Sequence, residues 1–298
     1  MISGSVKNVK PIIAQAYDIF LLFAKKVVTL HDNMRKYIFI LLTVVLCGCS
    51  DYNKILKSTD HNFKYQKAVE LFNAKKYIKA QGLFDDIAMY YRGTDRSQQI
   101  LHYLAECHRG SKDYQSAIDY YQTYLRSFPR GEYAELSKFM IGYCNYLMSP
   151  DARLDQTTTN EAISNLQEFT ELYPESDSIQ RADQLLDELF NKLAYKELLT
   201  ARLYRNLGLY RGDNYQSAII VSNNALNDYP FSNYREEFGY IIFESKYLRA
   251  KSSASDTQEE RFRDAKDEYY SFINEYPDGK FRKQADKIYI EIKKHLKE

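Results

Sequence analysis

Tryptophan is absent from this 298-residue chain, and sheet-forming text is scarce. No Asn-Gly or Asp-Gly turn separates two alternating strands, and β-branched runs are few while Leu, Ala, Glu and Lys abound, a composition that suits helices. Catalytic signatures are missing as well. The chain contains no Gly-x-Ser-x-Gly, no phosphate-cradling Gly-x-x-x-x-Gly-Lys and no Gly-x-Gly-x-x-Gly. Its histidines, His31, His61, His102, His108 and His295, form neither a His-x-x-x-His nor a His-Glu-x-x-His metal pair. His102 and His108 stand nearly opposite one another on a helix, and the acidic pairs Asp85-Asp86 and Glu236-Glu237 are adjacent, so their members point to different parts of a helix surface. Neither an enzyme nor a metal or other cofactor is expected, beyond a covalent lipid discussed below.

What is present is a repeated offset. In four segments an alanine is followed 12 residues later by a proline closing an aromatic-rich stretch: Ala117/Pro129, Ala162/Pro174, Ala218/Pro230 and Ala265/Pro277. Alanine fits where two helix backbones come too close for a larger side chain, and Tyr121, Leu166 and Tyr269, four residues on, fall on the same face; Ser222 is the exception. Proline lacks the N–H that another helical turn requires, so the helix stops. A fifth copy, Tyr77-x-x-Ala80-x-x-x-Phe84, has Arg92 where the proline would stand. Twelve residues before Ala80 and Ala117 lie Ala68 and Ala105. Small residue, apolar residue, Tyr-x-x-Ala, aromatic and closing Pro make the tetratricopeptide (TPR) pattern. The expected fold is all-α, a TPR-like helical-hairpin solenoid of about five repeats, with the 28 tyrosines and 16 phenylalanines interlocking between stacked helices. Repeats are expected at about 60–92, 94–129, 131–174, 177–230 and 232–277, followed by a C-terminal helix at 280–296. The polar stretches 149–160 and 249–260 are expected to be inter-helix loops.

The amino-terminal text has a different meaning. Met34-Arg35-Lys36 precedes the apolar decapeptide YIFILLTVVL and then Leu46-Cys47-Gly48-Cys49. The run is too short to span a bilayer and ends in a small residue before a cysteine. It resembles a bacterial lipoprotein signal over 34–48, with cleavage between Gly48 and Cys49 and the lipid on Cys49; residues 49–59 then form the tether and 60–298 the repeat domain. Residues 1–33 are read as an upstream extension outside the native chain, with translation starting at Met34. Loss of residues 1–48 leaves 35 Lys and Arg against 38 Asp and Glu, a net charge of −3, which does not suit nucleic acid. Cys107 and Cys144 each follow a small residue, Ala105 or Gly142, by two positions. Equivalent sites on neighbouring helices lie about 10 Å apart, too far for a disulfide, so both are expected to be buried thiols.

Between Pro174 and Pro230 about 30 residues, roughly 180–209, run without a turn signal. With the lipoprotein signal and the repeat framework, the tract Leu193-Ala194-x-Lys196-Glu197-x-x-x-Ala201-x-x-Tyr204…Tyr215-x-x-Ala218 resembles the BamD family of outer-membrane lipoproteins. That resemblance implies a five-repeat lipoprotein at the periplasmic face of the bacterial outer membrane. It implies as partners the POTRA domains of a BamA-like insertase, unfolded outer-membrane proteins carrying a C-terminal β-signal, and other assembly-machinery lipoproteins. Only Cys49 carries over residue by residue; the family's insertase-docking helix reads here Ile219-Ile220-Val221. Other lipid-anchored TPR proteins compete with this reading. A secretin pilotin or cell-envelope coordinator would share Cys49 and the repeats without the long helix, and a glycan-binding lipoprotein would need a larger chain.

With Ala68, Ala105 and Gly142 as the close-approach positions, a concave face of the first helices would present Tyr65, Val69, Phe72, Gln99, His102, Glu106, Arg109 and Tyr146, flanked by Asn62, Phe139 and Tyr143. Aromatic rings there would stack on an extended peptide, while Gln99 and Arg109 would meet its carbonyls or terminal carboxylate.

Overall fold

The structure, a computed structural model, describes residues 52–297. Cys49, the cleavage position at Gly48 and the whole upstream segment lie outside the described residues. Every regular element described is a helix: α1 (His61–Asn73), α2 (Tyr77–Ala88), α3 (Asp95–Gly110), α4 (Tyr114–Ser127), α5 (Ala134–Met148), α6 (Thr157–Leu172), α7 (Ile179–Leu207), α8 (Asn214–Asp228), α9 (Arg235–Lys251), α10 (Ser255–Glu275) and α11 (Arg282–Leu296), after a short helical turn at 52–56. Two compact units divide the chain, one closing at Arg92 and one opening at Gly93.

The first unit is the hairpin α1–α2. Ala68 and Ala80 are fully buried where the two helices approach, and Leu83, Phe84, Ile87 and Tyr91 complete its core. Asp60 caps α1 by accepting from the Phe63 N–H, and Lys64 reaches Asp86 at 2.5 Å across the pair. The turn between the helices places Lys75 at φ 56°.

The second unit repeats the device. Helices α3 and α4 pair, as do α5 and α6, α7 and α8, and α9 and α10; α4 also packs on α5 and α8 on α9. Ala105, Ala117, Ala162, Ala218 and Ala265 are all completely buried. The close approach is tightest at Gly142, where an added Cβ would lie 2.8 Å from Cγ and Cδ2 of Leu166. Ser222, in the position that other copies fill with Tyr or Leu, is buried with its hydroxyl lacking a hydrogen-bond partner among the described residues.

The proline stop has one repeated geometry. The residue before each proline is aromatic and caps its helix: Phe128 (φ −137°, ψ 66°), Tyr173 (−131°, 60°), Tyr229 (−127°, 63°) and Tyr276 (−128°, 65°). Each leaves the helical region, as the clash with proline Cδ demands, while its N–H still donates to the carbonyl four residues back. In α2, without a proline, the cap Met89 stays helical (φ −67°, ψ −36°) and the chain unwinds through turns at 90–94.

Helix α7 is 29 residues long, about 43 Å at 1.5 Å per residue. It belongs to two cores in turn. Ala182, Leu185 and Leu189 pack with Phe139, Ala162, Leu166 and Phe169, and then Ala194, Leu198 and Ala201 pack with Ala218, Ala225, Phe238 and Ile241. No helix among the described residues is long and apolar enough to cross a membrane. The stretch 249–260 is not the expected loop: α9 runs to Lys251, only Ser252–Ala254 break the helix, and α10 starts at Ser255. The reason is local. Asp256 sits favourably in the first turn of α10, and the polar Glu259, Glu260 and Arg263 are good helix formers on its exposed side, with Glu259 and Arg263 paired at 2.6 Å. Polarity there marks a solvated helix face.

Cys107 and Cys144 are buried and take part in no disulfide, and burial pushes the Cys144 thiol up to about 12, where it is protonated and inert.

Gly142→Ala is expected to lower the unfolding free energy by about 1–3 kcal/mol although alanine is the better helix former, because Leu166 must shift to admit the methyl group. Denaturant unfolding measures this; an unchanged or raised midpoint would remove Gly142 as the contact that sets the α5–α6 distance.

Candidate functional site

In the first unit, Tyr65, Val69 and Phe72 form one stripe along α1, each half-buried. Tyr65 presents its ring edge-on to Phe84 and Tyr91, with centroids 6.1 and 6.3 Å away, and Phe72 packs likewise on Tyr77 at 5.7 Å. These rings share their area between the hairpin and the open face.

In the second unit, Gln99, His102, Glu106 and Arg109 recur at spacings of three and four along α3 and so line one face. Glu106 is buried, with its carboxylate at the centre of a polar cluster. Arg109 donates to it from Nε at 3.1 Å and from Nη2 at 2.5 Å, and the Tyr121 hydroxyl of α4 donates to its other oxygen. Burial works against the carboxylate, but the hydrogen bonds from Arg109 and Tyr121 and the Arg109 charge outweigh it and hold the group below the usual carboxylate range. The Arg109 side chain keeps 31% exposure, so its guanidinium joins a core anion and still meets solvent.

The His102 ring stacks on Tyr133, centroids 4.0 Å apart and planes 6° from parallel. Burial holds its pKa below the ordinary histidine value against the opposing pull of Glu106 and Glu132. Tyr146 lies on α5 in a ladder of near-parallel rings with Tyr143 and Phe139, and its hydroxyl donates to Glu188 of α7. Phe139 itself is core. The arrangement offers aromatic faces, one partly exposed guanidinium and a buried acid that orients it, which is chemistry for holding a peptide.

A second surface escaped the sequence reading. Phe231, in the turn between α8 and α9, is 92% exposed. It walls two clefts, one with Asp187, Glu188, Lys192 and Tyr195, and one of about 240 Å³ with Phe190, Asp228 and Tyr229. The Asn233 N–H donates to Asn191 Oδ1 at 2.9 Å and ties this turn to α7. A signal was present: the residue after the stop proline is Arg130, Glu175 or Asp278 in three copies and Phe231 in the fourth. Of the apolar trio on α8, Ile219 is buried and Val221 packs into the core, leaving Ile220 exposed.

The family model of YfiO, an outer membrane lipoprotein, matches residues 57–249, more than half of the chain. A candidate outer membrane protein assembly factor BamD from Aquifex aeolicus (strain VF5) is 26% identical over 181 residues, covering 59% of this chain and 58% of the relative. The chain thus spans less than two thirds of that relative's length. Among solved structures, the TPR2AB-domain:pHSP90 complex of yeast Sti1 aligns at 12% identity over 78% of this chain and 98% of that one, TM-score 0.38. A tetratricopeptide repeat protein from Parabacteroides merdae ATCC 43184 aligns at 12% identity over 77% and 98%, TM-score 0.33.

Glu106→Ala is expected to destabilise the fold by about 2–4 kcal/mol, less than a fully buried pair because Arg109 is partly solvated. The native cluster should also fail in acid. A carboxyl with a depressed folded pKa stabilises above its unfolded pKa and loses that contribution as pH falls through the folded value. Glu106→Gln should therefore flatten the acid limb of stability against pH, read by denaturant midpoints; equal acid limbs would show that the cluster carries no such linkage.

Proposed function

The chain belongs to the YfiO family of outer membrane lipoproteins, and from that premise we propose that it is a scaffold of the machinery that assembles β-barrel proteins in the bacterial outer membrane. It is anchored at the periplasmic face through a lipid on Cys49 after cleavage between Gly48 and Cys49. It performs no catalysis and carries no cofactor beyond that lipid. The observation that carries this reading is the family match over residues 57–249, which takes in most of the repeat helices, including the long α7. The BamD assignment of the A. aeolicus relative supports it.

The scaffold works by holding two partners near one another. Unfolded outer-membrane proteins engage the first helices within each unit: in the first unit the rings of Tyr65 and Phe72, with Val69 between them, take aromatic and apolar side chains of the client. In the second unit Arg109, set in place by Glu106, meets the client's terminal carboxylate and Gln99 its backbone carbonyls, while His102 and Tyr146 supply stacking area. The POTRA domain of a BamA-like insertase engages the C-terminal helices, where exposed Phe231 between acidic residues supplies an aromatic anchor. Other lipoprotein subunits complete the assembly. Tethering raises the local concentration of each surface, so modest affinities suffice.

Tyr65→Ala combined with Arg109→Gln is expected to weaken binding of a peptide bearing an aromatic C-terminal β-signal by about tenfold or more. Glu106→Gln, which keeps the guanidinium but loosens its position, should weaken binding less than the double variant does. Fluorescence anisotropy with protein verified as folded measures this. Unchanged affinity in the double variant removes the client role from this face.

A further inference from the structure

Charge is distributed unevenly along the chain. Residues 52–92 carry eight Lys and Arg against four Asp and Glu, a net of +4, whereas residues 93–298 carry 27 against 33, a net of −6. Within the first unit the excess is concentrated: Lys54, Lys57, Lys75, Lys76 and Lys79 are all exposed. Lys54, Lys67 and Lys76 line a single open cleft that runs along α1 from Phe63 to the turn at Ala74 and Lys76, with Ile55, Phe63 and Leu71 as its apolar part. The acidic residue in that lining, Glu70, is engaged by Lys67 at 2.7 Å.

The wall that carries Lys54 and Ile55 is fastened to the hairpin. The Tyr52 hydroxyl donates to the Lys79 carbonyl at 3.0 Å, and the Lys79 ammonium lies 5.5 Å from the centre of the Tyr52 ring. Gly82 makes this possible, since a Cβ there would come within 2.7 Å of the Tyr52 oxygen.

Chain length then limits where this cleft can be. Lys54 is five positions after Cys49, and an extended chain gains at most about 3.6 Å per residue, so the two Cα atoms lie within about 18 Å. A lipid on Cys49 therefore brings the cleft to the headgroup layer.

We propose that the first helical hairpin docks on an anionic phospholipid surface, its cleft taking a headgroup phosphate among Lys54, Lys67 and Lys76 while Ile55, Phe63 and Leu71 meet the glycerol and first methylenes. The proposal rests on the Cys49 anchor reading. Charge complementarity names the occupant: a bilayer rich in anionic lipid attracts exposed lysines, each multiplying affinity about fivefold near such a surface, and the acidic remainder of the chain gains nothing from it. Docking adds a second attachment to the acyl chains.

The test uses the processed chain with Cys49→Ser, so that no acyl group contributes, sedimented with vesicles of phosphatidylcholine alone or with about 30 mol% phosphatidylglycerol. Binding to the anionic vesicles is expected to be at least about tenfold tighter and to vanish in about 0.5 M NaCl. Lys54→Gln/Lys67→Gln/Lys76→Gln should fall to the neutral-vesicle level, the three corresponding Lys→Arg changes should retain binding, and Lys283→Gln/Lys287→Gln/Lys297→Gln should leave it intact. Equal binding to both vesicles, or equal loss in the two glutamine variants, overturns the proposal. The mass of the native protein's Cys49 peptide reports separately on the anchor: an unacylated peptide would sink the anchor reading while leaving the vesicle result to stand or fall by itself.

Discussion

Everything in this chain depends on how closely two helix backbones can approach. Where α1 meets α2 the contact is made by Ala68 and Ala80, where α3 meets α4 by Ala105 and Ala117, and where α5 meets α6 by Gly142 against Leu166. Each close contact leaves room for a large side chain one turn on, and Tyr121, Leu166 and Tyr269 fill it. The aromatic-proline stop then sets the length of the second helix, so that the next hairpin begins in a reproducible place. The fold is a short rule applied repeatedly, and its functional surfaces are the positions that the rule leaves over.

Those surfaces are compromises between packing and display. Glu106 is buried and needs Arg109 and Tyr121 to remain charged; in return it holds a guanidinium at the surface of α3. His102 and Tyr146 are likewise committed, one by stacking on Tyr133 and the other by its bond to Glu188. Such prior engagement restricts side-chain freedom in advance, which would lower the entropic cost of binding the proposed peptide. Helix α7 plays the same double part on a larger scale: its first half closes one core, its second half opens the next, and its Asp187–Tyr195 stretch lines the clefts beside Phe231.

Much of this was legible in the residues. Alanine at a fixed distance from proline, an uninterrupted stretch between Pro174 and Pro230, and cysteines two places after small residues each reflect a steric demand that few other residues meet. What was not legible depends on partners distant in sequence. Polar text at 249–260 looks like a loop unless one knows that one side of α10 faces water. Glu106 and Arg109 read as open groove residues until Tyr121, 15 positions away, closes the cluster. Ile219 and Val221 stand on the helix that the family resemblance assigns to insertase docking, and only the packing of α8 shows that they turn inward. Phe231 was overlooked because a single aromatic after a proline has no periodicity to reveal it.

The proposed place of this protein in the outer-membrane assembly machinery is tested most directly by affinity purification of the acylated protein from detergent-solubilised membranes. The predicted result is near-stoichiometric recovery of a POTRA-bearing, 16-stranded insertase. Recovery of a secretin, or of a TonB-type transporter, in its place would contradict it.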